Sequence, residues 1–202
     1  MNIFRIITEL VSDTNYSARE SLDQEFDGYG YMKRVYGIEH MPDTATITKV
    51  SITDTLTKAY NRFAFEPFFE EEIHKAKRYK HSLSLVILGI DYFRSINHDY
   101  GSVVGDFILI ELADLVRDKI RTSDMLFRWN GDEFLIITPH TDKEGINIMI
   151  KNLKEDIDKF HFNNVGNISC SFAHVEYNYA DAPAVLIKKL EDELHNIKLR
   201  RI

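Results

Sequence analysis

Two adjacent carboxylates, Asp132 and Glu133, follow a turn-forming dipeptide in residues 128–134, which read Arg-Trp-Asn-Gly-Asp-Glu-Phe. Apolar, strand-like stretches lie on both sides of this segment. Asn130-Gly131 is a dipeptide that readily takes positive φ at both central positions of a tight hairpin turn. A hairpin with carboxylates at its tip can hold a divalent metal against the phosphates of a nucleotide, because hard cations prefer oxygen ligands on a rigid support. An ordinary surface hairpin with a solvated acidic tip is the alternative.

Further polar motifs precede this hairpin. They are residues 54–62, Asp-Thr-Leu-Thr-Lys-Ala-Tyr-Asn-Arg, residues 89–106, which begin Gly-Ile-Asp-Tyr-Phe-Arg and end Gly-Asp, and residues 121–124, Arg-Thr-Ser-Asp. In order and spacing, these motifs and the hairpin resemble the GGDEF family of diguanylate cyclases, over the segment from Asp54 to about Lys198. Members of this family join two GTP molecules into cyclic di-GMP and release pyrophosphate, with metal ions neutralising the triphosphates.

The resemblance implies a catalytic pair, Asp132 and Glu133, with Asp132 as a ligand of Mg²⁺. The first-strand motif of the family, Asp-x-Asp-x-Phe-Lys, reads Gly-Ile-Asp-Tyr-Phe-Arg here, so Gly89 stands where the family has a metal-binding aspartate. Asp91 lies two residues further on, on the same face of a strand but displaced by ~6.6 Å. We expect either a metal-binding role or a structural role for Asp91, with the structural role favoured.

The resemblance also implies a set of nucleotide-binding residues. Asn97 and Asp106 match the positions that read guanine, where an amide and a carboxylate can pair with its hydrogen-bonding edge. Arg94 replaces a phosphate-facing lysine of the family, and Lys198 matches the lysine of its last helix. After Lys198 the Gly-Arg-Asn of the family is replaced by Arg-Arg-Ile at 200–202. Structural alternatives are that Asn97 ends a turn and that Asp106 lies at a helix start, where its charge suits the helix dipole.

Arg121 and Asp124 stand at the spacing of the family's product-inhibition site, which binds cyclic di-GMP. Arginine suits guanine and phosphate because its planar guanidinium donates paired hydrogen bonds. The alternative is an arginine that ends a helix and an aspartate that forms a turn.

Alternating helical and extended patterns must position these residues. Helices are predicted at 58–80, 93–99, 104–120, 143–160 and 183–199, and strands at 83–90, on both sides of the hairpin turn and at 166–176. The apolar run Leu83 to Ile90 is typical of a central strand that is buried on both faces. The order of elements predicts an α/β (α+β) fold, a sheet with helices packed on it. The resemblance implies a palm-like, ferredoxin-related sheet, as in nucleotide cyclases, in a domain spanning 54–202.

Residues 1–53 differ from the rest and are predicted to be a short helical or linker segment. Apolar residues at helical spacing indicate a short amphipathic helix: Ile3, Ile6, Ile7, Leu10 and Val11. A helix of about three turns is marginal by itself. We therefore expect it to pack on its own domain, with a weak homodimer as the alternative.

The composition excludes several partners. A net charge of −7 argues against a nucleic-acid polymer or an anionic membrane surface as the main partner. The longest apolar run is far shorter than the ~20 residues that cross a bilayer. The single cysteine, Cys170, has no internal disulfide partner and lies in a predicted buried strand. The expected location is the cytosol.

These observations lead to three hypotheses of function. The first is a degenerate GGDEF domain that binds GTP, cyclic di-GMP or a protein partner and has little or no cyclase activity. The second is a functional diguanylate cyclase with an altered metal site. The third is a structural or protein-interaction module without ligands. Gly89 favours binding over catalysis, whereas Asn97, Asp106 and the intact Asp132-Glu133 pair keep catalysis open.

Overall fold

The computed structural model describes residues 52–201. The predictions for the N-terminal segment, including the amphipathic helix of Ile3 to Val11, lie outside the described residues. The division of the chain near residue 53 therefore stays a prediction.

The sheet is built around one fully buried strand. Strand β1 spans Leu83–Ile90, and all eight of its residues are buried. It pairs antiparallel with β3, Glu133–Pro139, on one side and with β4, Cys170–Glu176, on the other, while β2, Met125–Asn130, pairs antiparallel with β3. The strand order is β2-β3-β1-β4. The expected mixed α/β fold, with a central apolar strand, is confirmed.

Within residues 52–201, five helices pack on or beside this sheet. They are α1, Arg62–Tyr79, α2, Phe93–Tyr100, α3, Ser102–Lys119, α4, Lys143–Lys159, and α5, Pro183–Leu199. Side chains of α3 and α4 pack against one face of β1 in a common core with Val86, Leu88 and Ile90. Because side chains alternate along a strand, Leu85, Ile87 and residue 89 face the other way, towards α1 and α5.

Two element boundaries differ from the expected ones for local reasons. Helix α1 begins at Arg62 rather than near residue 58, because Asn61 caps it by accepting a hydrogen bond from the backbone N–H of Ala64 at 3.1 Å. Strand β4 begins at Cys170 rather than near residue 166, because residues 162–166 form a turn closed by backbone hydrogen bonds between Phe162 and Gly166.

One residue-level expectation was wrong. Asn130 is the last residue of β2 and pairs with Glu133, so the turn consists of Gly131 and Asp132, and only Gly131 has positive φ, +44°. Phe107, an apolar residue of the predicted helix at 104–120, is 51% exposed on α3. Cys170 is buried, as expected, and burial raises the pKa of its thiol. No helix in residues 52–201 combines the length and apolar character needed to span a bilayer.

The segment before α1 is joined to β2 through Asp54. Its carboxylate accepts hydrogen bonds at 2.8 Å from both the backbone N–H and the hydroxyl of Thr57, and it pairs with the Arg128 guanidinium at 3.0 Å. Arg128 also donates two hydrogen bonds to the carbonyl of Gly131. Burial alone would raise the pKa of Asp54, but the Thr57 and Arg128 contacts outweigh it and hold the pKa below its ordinary value.

We therefore predict that Asp54→Ala lowers the free energy of unfolding by about 1–3 kcal/mol, because it removes the charged partner of three donors. Urea unfolding at pH 7 measures this loss. Because the pKa of Asp54 is lowered in the folded state, its contribution is present at neutral pH and lost as the pH falls through that value. The difference between the variant and the wild type should therefore shrink in acid. Asp192→Ala, at an exposed carboxylate of α5, should cause no such loss of stability. Equal stability of wild type and Asp54→Ala at pH 7 would show that the contacts of Asp54 with Thr57 and Arg128 contribute nothing to the free energy of unfolding.

Candidate functional site

The hairpin acids and the end of the central strand are brought together by strand register. Gly89 pairs with Glu133 of β3 on one side and with Ser171 of β4 on the other. The backbone N–H of Ile90 donates to the carbonyl of Asp132 at 3.3 Å. The tip of the β2-β3 hairpin therefore lies beside the end of β1.

Lys198 of α5 is the partner of both hairpin acids. Its ammonium lies 2.9 Å from Oδ2 of Asp132 and 3.5 Å from Oε1 of Glu133. All three side chains are between 24% and 28% exposed, so these ion pairs are partly shielded from solvent. Lys198, which the sequence indicated as a nucleotide-binding residue, thus forms ion pairs with both residues indicated as catalytic.

Asp91 is engaged in a separate network. Its carboxylate is buried and accepts hydrogen bonds from the hydroxyls of Ser169 at 2.7 Å and Ser171 at 2.6 Å. The Arg201 guanidinium forms an ion pair with the same carboxylate. A buried charge is tolerated when it is paired and hydrogen-bonded, and here both oxygens have partners. This geometry favours the structural role for Asp91 over metal binding.

The residues present do not fit a site for Mg²⁺, the cofactor that the family resemblance implies. Mg²⁺ requires near-octahedral oxygen coordination, but Gly89 offers no side chain, Asp132 and Glu133 are paired with Lys198, and Asp91 is bound by serines and Arg201. Within residues 52–201, no group of three or more His, Cys, Asp or Glu side chains is arranged to hold a metal ion.

The electrostatic environment of Glu133 disfavours its charge. Burial raises the pKa of the carboxyl above its ordinary value, Lys198 acts in the opposite direction, and the neighbouring carboxylates Asp132 and Glu191 raise it further. The net effect is a raised pKa. One ammonium therefore does not fully compensate the pair of acids at the hairpin tip.

The structure places Asn97 and Asp106 where α2 meets α3. Gly105 precedes Asp106, and a Cβ atom at position 105 would lie 1.9 Å from Oδ1 of Asn97 and 3.2 Å from Cζ of Phe93. Oδ1 of Asn97 is buried and has no hydrogen-bond partner within the described part of the chain. Such an acceptor costs about 1–3 kcal/mol when it stays unpaired. Asp106 is exposed on the first two turns of α3.

The remaining predicted site residues differ in their surroundings. Arg94 is exposed on α2, and Arg121 is exposed just after α3. Asp124 is buried, and its carboxylate accepts a 2.9 Å hydrogen bond from the backbone N–H of Arg121. Burial raises the pKa of Asp124, although Arg121 and Ser123 partly offset this effect. The turn-forming role of Asp124 is therefore visible, and a ligand-binding role for Arg121 and Asp124 stays a prediction.

Trp129 is a packing residue of the hairpin. Its indole ring is buried, the Arg62 guanidinium lies 4.2 Å from the ring centroid, and its N–H donates to Glu191 at 2.9 Å. The ring therefore joins β2 to α1 and α5.

Sequence reasoning missed the partners of Asp91. Arg201 and Ser171 are far from Asp91 in the sequence, so no local motif indicated their contacts with its carboxylate. Ser171 could have been found from strand pairing, since it is opposite Gly89. A groove of about 460 Å³ between β4 and α5 includes Val175, Lys189 and Arg200 but none of the predicted site residues.

The domain is a helix-covered antiparallel sheet with acids on a hairpin tip beside the end of its central strand. Residues 51–201 match the family described as "Diguanylate cyclase, GGDEF domain". The chain therefore belongs to the GGDEF family.

Individual relatives agree with this assignment. The chain is 30% identical over 151 residues to diguanylate cyclase DgcP of Pseudomonas aeruginosa, covering 73% of this chain and 22% of DgcP. Against diguanylate cyclase VdcA of Vibrio cholerae it is 29% identical over 160 residues, 76% of this chain and 46% of VdcA. The chain thus spans less than half the length of either relative.

The fold is shared with solved structures. The GGDEF domain of DgcB from Caulobacter crescentus, in complex with c-di-GMP, superimposes with a TM-score of 0.68 at 20% identity, covering 78% of this chain and 90% of that one. Diguanylate cyclase SiaD of Pseudomonas aeruginosa, in complex with its activator SiaC, gives a TM-score of 0.70 at 22% identity, with coverage of 85% and 65%.

We predict that Glu133→Gln stabilises the protein at pH 7. A raised folded-state pKa means that ionised Glu133 is unfavourable to the folded state, a cost that appears as the pH rises through that pKa. The neutral amide avoids this cost, so Tm should rise by roughly 1–3 °C at pH 7. The gain should disappear near pH 4, where the carboxyl is protonated.

The control for this prediction is Asp132→Asn. It weakens the shorter ion pair to Lys198 and should destabilise the protein at pH 7 by about 1–2 kcal/mol. Thermal unfolding at both pH values distinguishes the two variants. A lower Tm for Glu133→Gln at pH 7 would contradict the proposed cost of the Glu133 charge.

Proposed function

We propose that this domain binds a guanine nucleotide, GTP or cyclic di-GMP, as a signalling module and has little or no cyclase activity. The observation that carries the binding half of the proposal is Asn97. Its buried amide oxygen has no hydrogen-bond partner among residues 52–201, and Gly105 leaves the space in which the amide lies.

Guanine has the complementary chemistry. Its N1–H and exocyclic amino group are donors, which a carboxylate and an amide oxygen accept. Asp106 supplies an exposed carboxylate one residue after Gly105, and Asn97 supplies the unsatisfied oxygen. A guanine that donates to Asn97, after a shift of the amide that exposes Oδ1, would recover the cost of the unpaired oxygen.

The catalytic half of the proposal rests on charge. Phosphoryl transfer depends on cations that neutralise charge developing on the phosphates. Here Gly89 provides no carboxylate for a metal, and the hairpin acids are already paired with Lys198. Loss of one well-placed charge stabiliser costs ~10²–10³ in rate.

A functional cyclase remains the second candidate, because the relatives DgcP and VdcA are named as diguanylate cyclases and the Asp132-Glu133 pair is intact. Regulation through a protein is a further possibility for this domain, since SiaD was solved with an activator protein. For the oligomeric state, a weak homodimer is the alternative to a monomer.

We predict negligible conversion of GTP to cyclic di-GMP by the purified protein with either Mg²⁺ or Mn²⁺. Product formation, followed by chromatography, should be at least ~100-fold below that of an active GGDEF cyclase assayed in parallel. Robust turnover that Asp132→Ala abolishes would overturn the catalytic half of the proposal and establish the second candidate.

We predict micromolar binding of cyclic di-GMP or GTP, about −8 kcal/mol, by calorimetry in the presence of EDTA. Asn97→Ala removes the amide and should weaken binding at least tenfold. Gly105→Ala should act similarly, because its methyl group would displace the Asn97 amide. Asn196→Ala, at an exposed asparagine of α5, is the matched control and should leave the affinity unchanged.

The same titrations locate the ligand. If Arg121→Ala weakens cyclic di-GMP binding and Asn97→Ala does not, the ligand lies at the Arg121-Asp124 motif instead of the α2-α3 junction. If neither nucleotide produces heat at high micromolar concentration, the binding proposal fails and the interaction-module hypothesis stands.

A further inference from the structure

The space above Gly89 is filled by the end of another side chain. A Cβ atom at position 89 would lie 2.4 Å from Nζ and 2.7 Å from Cε of Lys198, and 3.3 Å from Cγ of Glu133. Real Cβ atoms do not approach other atoms this closely, so a side chain at 89 would move the flexible end of Lys198 from its present position. The absence of a side chain at position 89 therefore leaves the space that the Lys198 ammonium occupies.

The inserted ammonium lies where a cation is needed. Asp132 and Glu133 are adjacent residues at the hairpin tip, and both face Lys198, at 2.9 and 3.5 Å. Without a cation between them, two partly buried carboxylates would repel each other. Lys198 supplies one positive charge and hydrogen-bond donors to both.

The same helix end supplies a second cation. Arg201, two residues after the end of α5, pairs with the buried carboxylate of Asp91. Tyr92 donates a hydrogen bond to the carbonyl of Arg201, which holds this end of the chain against the end of β1. Each carboxylate at this edge of the sheet, Asp91, Asp132 and Glu133, therefore has a basic partner from the last residues of the described chain.

We propose that Lys198 takes the place of a divalent cation in this domain, and that the hairpin site consequently has no affinity for Mg²⁺ or Mn²⁺ at cellular concentrations. A divalent ion would have to displace the ammonium from Asp132 and Glu133. It would then find only two neighbouring carboxylates, because position 89 offers no oxygen from its side chain. Nucleotide binding by this domain would accordingly not require a divalent ion.

The proposal makes an asymmetric prediction for two substitutions. Gly89→Asp alone adds a carboxylate beside an ammonium, so the new side chain pairs with Lys198 instead of creating a metal site. Lys198→Met alone frees two acids but adds no ligand. Only the double variant Gly89→Asp with Lys198→Met places three carboxylates around a space without a resident cation.

The experiment is titration of each protein with Mn²⁺ alone, followed by electron paramagnetic resonance of the free ion. Wild type and Gly89→Asp should show a Kd above ~1 mM, a weak level for a carboxylate site. The double variant should bind one Mn²⁺ at least tenfold more tightly. Gly89→Asp with Lys188→Met is the matched control, because it has the same net charge but removes an exposed lysine elsewhere on α5.

Two outcomes would overturn the proposal. One is wild-type protein that binds one Mn²⁺ at micromolar concentration and loses it on Asp132→Asn. The other is a folded double variant, with an intact thermal transition, that binds Mn²⁺ no better than the Lys188 control. No nucleotide is present in these titrations, so their result is separate from that of the nucleotide-binding proposal.

A measurement on the unaltered chain covers the case in which the double variant does not fold. The ammonium of a lysine held by two carboxylates exchanges slowly enough at low temperature to be seen by nitrogen–proton NMR, with Lys198→Met to assign it. Its signal should be present and unchanged on addition of millimolar Mg²⁺. Loss or displacement of the signal by Mg²⁺ would show that the ion replaces Lys198, and would overturn the proposal.

Discussion

The pairing of β1 with its two neighbours is the constraint on which the rest of this domain depends. Every residue of β1 is buried, and the strand is hydrogen-bonded on both edges. A shift of one residue in either register would move its side chains to the opposite face, so the register is strongly determined. That register places Gly89 between Glu133 and Ser171, and the whole charged edge of the sheet follows from it.

Much of this architecture is readable from the sequence because it depends on local patterns. The apolar run of β1 and the helical pattern of α5 predicted both elements with their observed bounds, Leu83–Ile90 and Pro183–Leu199. The boundaries that were missed are set by hydrogen bonds of particular residues, the Asn61 cap before α1 and the turn between Phe162 and Gly166 before β4, which periodicity does not reveal. The turn before α1 is also stabilised by the ion pair between Asp54 and Arg128, which are 74 residues apart. The residue pattern of that segment gives no indication of such a contact.

The candidate site was predicted by residue type but not by pairing. Motif resemblance identified Asp132, Glu133 and Lys198, and it identified the unusual glycine at position 89. It could not show that the lysine lies over that glycine, because the two residues are brought together only when α5 packs on the sheet. Asn130 was misplaced for a related reason: its turn propensity is real, but pairing with Glu133 extends β2 through it.

Trp129 has a consequence for how this domain can be observed. It is the single tryptophan of the chain, and it is held between Arg62 at the start of α1 and Glu191 in the middle of α5. A cation over the ring and a carboxylate on its N–H both influence the emission of an indole. Helix α5, which carries Lys198, is thus in direct contact with the single tryptophan of the chain. A movement of α5 that changes this contact would change the tryptophan fluorescence, which requires no added label.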